Sequence, residues 1–351
     1  MGSVFKNVSK FFLQKRCKDT KFFCTFAPVK NFRFLFVDWM RQGAKTCWYM
    51  FRFMIPISIV VKILQETGLI VYVGEALSPL MQLMGLPGEM GLVWASSMIA
   101  NIYGALVAYL QIMPHLEEPL SIAQVTTLST IILIAHTFFI ELIVTQRAGA
   151  KILPMFVIRF GFGFIAGVLI YWTYHFLGVL QGTPETINTF LMGRKDPTLL
   201  EWGLNEIKNY GLLFVWITGL IIFLDILKRV GIIDKINSWL EPVLRMLGIG
   251  KDVIPITVVG MTLGLAYGGG LIINSVNRDG LKKRDVLYAL VLMAICHSII
   301  EDSLLLMSIG AHYTGVFIFR IGFALVVTYL FVKITSKWSE EKMERWFYAR
   351  K

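Results

Sequence analysis

Apolar runs of roughly 18 residues or more recur along this chain, long enough to cross a bilayer core of about 30 Å. A segment in hydrocarbon must satisfy every backbone N–H and C=O internally, and a helix does so within one segment. The expected fold class is therefore all-α, a polytopic membrane protein. Composition agrees, with 56% hydrophobic residues against about 45–50% in soluble domains. One run, "AICHSIIEDSLLLMSIGAH", carries His297, Glu301 and Asp302 where a spanning helix should carry no charge.

The net charge of +11 is unevenly placed. Residues 1–45 hold ten Lys/Arg against two acids, and residues 333–351 hold six against three, so the ends carry the whole excess. Basic flanks outside apolar spans follow the positive-inside rule rather than a nucleic-acid footprint. Both termini are expected in the cytoplasm, and the chain in the cytoplasmic membrane of a prokaryote. The arm over residues 1–49 mixes Phe and Lys and lacks the pattern of a signal peptide. An interfacial helix on anionic lipid is expected there, with a disordered basic tail as the alternative. The four cysteines show neither zinc-knuckle spacing nor a disulfide framework.

An internal repeat organises the rest. "LIAHTFFIELIVTQRAGAKILPMFVIRFGFGF" aligns without a gap to "AICHSIIEDSLLLMSIGAHYTGVFIFRIGFAL". His136 falls on His297, Glu141 on Asp302, Gly149 on Gly310, Arg159 on Arg320 and Phe162 on Phe323. Upstream, Gly68, Pro79 and Gly85 fall on Gly231, Pro242 and Gly248. The expected divisions are a basic segment 1–49, repeats over 50–175 and 211–335, an extracytoplasmic connector over 176–210 and a cytoplasmic tail over 336–351.

Matched loops carry opposite charge. The segment 65–89 has three Glu and no Lys/Arg, whereas 228–252 holds five Lys/Arg; "PHLEEPLSIAQ" is acidic and "NRDGLKKRD" basic. Basic loops stay inside, so the repeats should be inverted, as in many secondary transporters. "GEMGLVWASSMIANIYGALVAYLQIMP" is flanked by acidic loops, and "DVIPITVVGMTLGLAYGGGLIINS" by basic ones. Each should enter and leave on one side, giving re-entrant hairpins bent near Tyr103-Gly104 and at Tyr267–Gly270. Tilted full spans are the alternative. The expected total is six crossings and two hairpins.

Intramembrane charges are costly and usually pair. Glu141 and Arg159 lie at similar distances from Gly149, and Asp302 and Arg320 repeat this around Gly310. Two ion pairs are expected, Glu141–Arg159 and Asp302–Arg320, with a direct substrate role as the alternative. His136, His297 and Glu301 remain. In a regular helix His297 and Glu301 share a face. Glu301 matches Ile140 and has no symmetry mate. Two imidazoles and a free carboxylate suit a divalent metal or a proton relay; histidines bonded to backbone or to Ser298, beside a neutral Glu301, are the alternative. Asn101, Tyr103, Tyr267 and Asn274, at the hairpin bends, could hydrogen-bond a polar solute or simply pack.

"GLAYGGGLIINS" followed by "CHSIIEDSLLLMSIGA", with its upstream repeat, resembles the nucleoside-recognition or Gate-domain membrane proteins. Spore-maturation proteins, the membrane part of the ferrous-iron permease and concentrative nucleoside transporters contain related domains. The resemblance implies two Gate units with hairpins around a central path, and relatives carry nucleosides or iron. No G-x-x-x-x-G-K-[ST] or H-E-x-x-H occurs, so neither nucleotide-powered transport nor enzyme activity is expected. The expected function is secondary transport of a cation or a cation-coupled small polar solute by alternating access. A nucleoside-like solute, or a non-transporting scaffold or sensor, is the alternative. The expected partners are the lipid bilayer and a small solute or ion; a homo-oligomer is compatible with this. No cofactor is required beyond a divalent metal or a coupling proton.

Overall fold

A computed structural model of the chain describes residues 32–184, 198–264, 273 and 281–349. The described residues are helical apart from turns and one isolated bridge, Ala150 with Tyr348. In chain order the helices are α1 (Phe32–Glu66), α2 (Leu69–Gln82), α3 (Met90–Ile99), α4 (Ile102–Ile112), α5 (Ile122–Ile134), α6 (Phe138–Arg147) and α7 (Ile152–Leu177). The second half contributes α8 (Leu199–Arg229), α9 (Ile232–Met246), α10 (Ile254–Leu263), α11 (Lys283–Ile295), α12 (Glu301–Met307), a π-helical segment (Thr314–Phe319), α13 (Arg320–Thr335) and α14 (Glu340–Trp346). Met1–Asp38 and Trp39–Lys351 are separate units.

Among the described residues, five segments are long and apolar enough to cross a membrane: Phe36–Glu66, Ile122–Arg147, Ile152–Leu177, Leu199–Arg229 and Thr314–Thr335. The Ile122–Arg147 segment is central, 78% buried against 17–33% for the other four. Its start is set by Ser121, whose hydroxyl accepts from Gln124 N while the Gln124 side chain accepts from Ser121 N. This reciprocal cap satisfies two donors that the first turn leaves open. The same device, Thr198 with Glu201, opens α8.

Matched helices pack antiparallel. Along α1 and α8, Trp39 Nε1 donates to Asp225 Oδ2 at 2.9 Å, the Phe51 and Tyr210 rings meet at 5.2 Å, and Ser58 Oγ donates to Glu206 at 2.8 Å. Gly43 sits at this crossing because a Cβ there would stand 2.3 Å from Thr218 Oγ1. On α7 and the π-α13 helix, Phe162 meets Phe323 at 6.1 Å, and Tyr174 hydroxyl lies 2.8 Å from Thr314 Oγ1. Positions paired by the sequence repeat thus touch each other, as Phe162 and Phe323 do.

Two departures from the sequence-based expectation concern continuity. The Lys283–Met307 region is divided into α11 and the seven-residue α12, as the matched Ile122–Arg147 is divided into α5 and α6, where a continuous span was expected. In the first segment expected to be re-entrant, the helix break falls at Ala100–Asn101, where α3 ends and α4 begins, just before the expected position near Tyr103-Gly104. Asn101 is extended and its side-chain oxygen accepts from Gly104 N at 2.9 Å, so the polar cap stops one helix and starts the next. Gly104 instead allows close packing, since a Cβ there would lie 2.6 Å from Ile57 Cδ1. The second bend, Tyr267–Gly270, lies outside the described residues.

Candidate functional site

Two helix breaks build the site. α5 ends at Ile134 and α6 begins at Phe138; between them Thr137 takes φ +51°. α11 ends at Ile295 and α12 begins at Glu301; between them Ser298 takes φ +49°. Left-handed backbone is unusual for residues other than glycine, and it persists where the surroundings impose it. Here neighbouring helices do so. Thr137 N donates to Ser97 O in α3 and Ile299 N to Met261 O in α10, both at 2.8 Å. One backbone donor freed by each break is thereby satisfied by a neighbouring helix, as an interrupted membrane helix requires.

His136 and His297 occupy these breaks and are 4% and 1% exposed. Their Nδ1 atoms lie 2.9 Å from Ile132 O and 2.7 Å from Met293 O. A carbonyl only accepts, so each Nδ1 carries a proton and, in the neutral ring, each Nε2 presents a lone pair. The two Nε2 atoms face one another at 3.3 Å. Glu141 Oε1 lies 3.2 Å from His297 Nε2 and 3.5 Å from His136 Nε2, while Asp302 Oδ2 lies 3.9 Å from His136 Nε2.

The arginines differ. Arg159 forms an ion pair with Glu141 Oε2, donates through Nε to Ile134 O at 3.1 Å and stands over the Phe138 ring. Arg320 donates to Ile295 O, His297 O and Ser303 Oγ and makes no ion pair with Asp302. This corrects the expected second pair. The carbonyls exposed by the break at 296–300 supply the acceptors that a continuous helix would not offer. Asp302 turns instead towards His136, the histidine of the other repeat.

Glu301 is corrected for the same reason. Four-residue spacing puts two side chains on one face only while the helix is regular. The left-handed Ser298 lies between His297 and Glu301 and changes that phase. The group whose ligand atoms all lie within 4.8 Å is His136, His297 and Asp302. Glu301 opens α12, is half-buried, and makes no hydrogen bond or ion pair among the described residues. Asn101 caps α4, and Tyr103 is buried within α4. Tyr267 and Asn274 lie outside the described residues.

One buried carboxylate was not anticipated. Glu206 in α8 is 7% exposed and accepts from Ser58 Oγ, which in turn accepts from Gln111 Nε2 at 2.6 Å. Tyr210 also hydrogen-bonds with Ser58 and Glu206. The segment was expected to be connector. The available signal was that Glu206, Asn209 and Tyr210 share one helical face.

Residues 47–149 match the family model of the Gate domain, described as nucleoside recognition. The matched region covers the first repeat as far as Gly149, including His136 and Glu141. The chain is also 25% identical, over 313 residues, to the uncharacterized membrane protein YvoD of Bacillus subtilis (strain 168), covering 87% of this chain and 96% of that protein. No solved structure matches.

Proposed function

We propose that this chain, in which residues 47–149 carry a nucleoside-recognition Gate domain, is a secondary transporter working by alternating access. It moves a cation, or a cation-coupled small polar solute, through a path between two inverted repeats. The observation that carries the reading is the meeting of two matched helix breaks, His136 against His297, inside the buried span. Interrupted helices with polar groups at mid-membrane are how transporters hold a solute without a lipid-facing polar backbone.

The antiparallel pairing of α1 with α8, and of α7 with the π-α13 helix, supports inversion. Matched helices related by an axis in the membrane plane must run in opposite directions. α3 and α4 are ten and eleven residues long, about 15 Å each and roughly half of a bilayer core. That supports a re-entrant hairpin. With α11 and α12 counted together as one crossing, the total is six, both termini lying in the cytoplasm.

The decisive experiment is flux into liposomes containing this protein alone. Entrapped metal-sensitive dye would report Co²⁺ or Mn²⁺, and labelled uridine would test a nucleoside under imposed proton and sodium gradients. The family's description favours the nucleoside as second reading. Absence of flux for every probe, from protein shown to be folded and inserted, would sink transport and leave a scaffold or sensor.

A further inference from the structure

We propose that His136 Nε2, His297 Nε2 and Asp302, with Glu141 Oε1 against both rings, form a binding site for a divalent first-row transition-metal ion. This rests on the transport reading and names its cation.

The first argument is an imbalance of donors and acceptors. Both Nδ1 protons are committed to backbone carbonyls, which leaves two imine lone pairs pointing at each other across 3.3 Å. The other groups facing them are carboxylate oxygens of Glu141 and Asp302. An ionised carboxylate also only accepts. Three acceptors, the two imine nitrogens and Glu141 Oε1, therefore converge with no donor between them, beside an Asp302 that is hydrogen-bonded to Ser298, where the side chains of the histidines are 5% and 2% exposed. Polar groups buried without partners are costly, and a cation among them removes that cost.

The second argument is size. A tetrahedral ion about 2.0–2.1 Å from each imidazole nitrogen sets those nitrogens about 3.3–3.4 Å apart. The observed separation is 3.3 Å. Nitrogen–oxygen edges of such a site have nearly the same length, and Glu141 Oε1 lies at 3.2 and 3.5 Å. Asp302, at 3.9 Å from His136, has only a short distance to close. One proton would join two of these acceptors and leave the third unmatched. Its hydrogen bond would also prefer a shorter contact than 3.3 Å.

The third argument is the surroundings. Each ligating histidine is already oriented by an Nδ1–H···O=C bond, the outer-sphere contact that fixes tautomer and ring plane in metal sites. Glu141 is oriented by Arg159 through its other oxygen. Mixed imidazole and carboxylate ligation suits Zn²⁺, Fe²⁺, Co²⁺ and their neighbours, whereas Mg²⁺ and Ca²⁺ prefer oxygen alone. Asp302 has the most exposed side chain of the group, at 14%, and marks the side from which an ion enters.

The test is titration of chelator-stripped, detergent-solubilised protein with Co²⁺, followed by visible absorbance and by competition with Zn²⁺. One ion per chain is expected, with the intense bands of a tetrahedral centre that Zn²⁺ abolishes and Mg²⁺ does not. His136→Ala, His297→Ala and Asp302→Ala should each weaken binding by more than the roughly 10–100-fold that loss of an outer-sphere partner costs. No bound Co²⁺, or only the weak spectrum of a six-coordinate ion, would overturn the site. So would histidine variants that bind normally, or loss of binding in Glu301→Gln but not in Asp302→Ala. The wild-type spectrum and metal content decide even if a variant fails to fold. Binding is read without flux, so a metal site in a non-transporting protein and a transporter without a metal give different results.

Discussion

His136 Nε2 lies 3.3 Å from His297 Nε2, although 161 residues separate them in the chain. The contacts around them are exchanged in the same way. Glu141 reaches across to His297 at 3.2 Å and Asp302 across to His136 at 3.9 Å, while Glu141 also lies 3.5 Å from His136 of its own repeat. The backbone contacts keep the same 161-residue offset: Arg159 Nε donates to Ile134 O and Arg320 Nε to Ile295 O.

The acid–arginine contacts should differ in a double-mutant cycle. Arg159→Gln leaves Glu141 buried without its partner, and breaking such a pair costs about 3–5 kcal/mol. Glu141→Gln combined with Arg159→Gln should recover much of that loss. Asp302→Asn with Arg320→Gln should show far weaker coupling, because Arg320 rests on carbonyls and Ser303. Thermal unfolding in detergent measures both cycles, and equal coupling would contradict the assigned contacts.

The left-handed residues invite a stabilising change. Thr137→Gly and Ser298→Gly relieve a backbone conformation that costs a side chain about 1–2 kcal/mol. Each should raise the midpoint of thermal unfolding, whereas Thr137→Ile and Ser298→Val should lower it. A fall in the glycine variants would mean that the Thr137 or Ser298 side chain stabilises the break.

Inversion makes a prediction about sidedness. Single cysteines at Glu117 and at Lys283 should react with membrane-impermeant thiol reagents from opposite faces, Glu117 from outside. Of the four native cysteines, Cys17 and Cys24 are replaced by serine for this test, and Cys47 and Cys296 are buried and should contribute little background. Labelling of both sites from one face removes the inverted arrangement.

The C-terminal helix fastens the α6–α7 turn. Lys151 N donates to Phe347 O at 2.7 Å and Ala349 N to Gly149 O at 2.9 Å. Lys283 pairs with Glu344 at 3.0 Å, and Arg284 with Glu340 at 2.7 Å. Such exposed pairs contribute about 0–1 kcal/mol, so Glu340→Ala and Glu344→Ala should change stability little. Removing residues 340–351 should cost more and should make the 148–151 turn sensitive to protease. Equal resistance in the truncated chain would show that the backbone bonds do not hold the turn.

Glu206 should matter through its acceptor role. Glu206→Leu leaves Ser58 and Gln111 with a broken chain of hydrogen bonds in a buried place, a loss of about 1–3 kcal/mol. Glu206→Gln, which keeps an acceptor, should cost less. Equal losses from the two variants would assign the effect to packing.

Much of this molecule is legible along the chain, because its causes are local or periodic. Apolar run length dictates membrane helices, and duplicated polar positions reveal the repeat. The Glu141–Arg159 contact follows from distance to a shared turn, because the Thr137 break lies before Glu141 and α6 and α7 run unbroken between that residue, the turn and Arg159. The partners of Asp302, Arg320 and Glu301 depend on something else. Helical spacing predicts a face only while every residue keeps the right-handed φ/ψ, and Ser298 does not. Its conformation is held by Ile299 N bonding to Met261 O in α10, a residue distant in sequence. That contact exists only after the helices have packed. Packing therefore turns Arg320 to carbonyls that a continuous helix would have used, and brings Asp302 rather than Glu301 beside the histidines. It likewise buries Glu206 against Ser58, because burial depends on which helix lies alongside and not on the residues next in the chain.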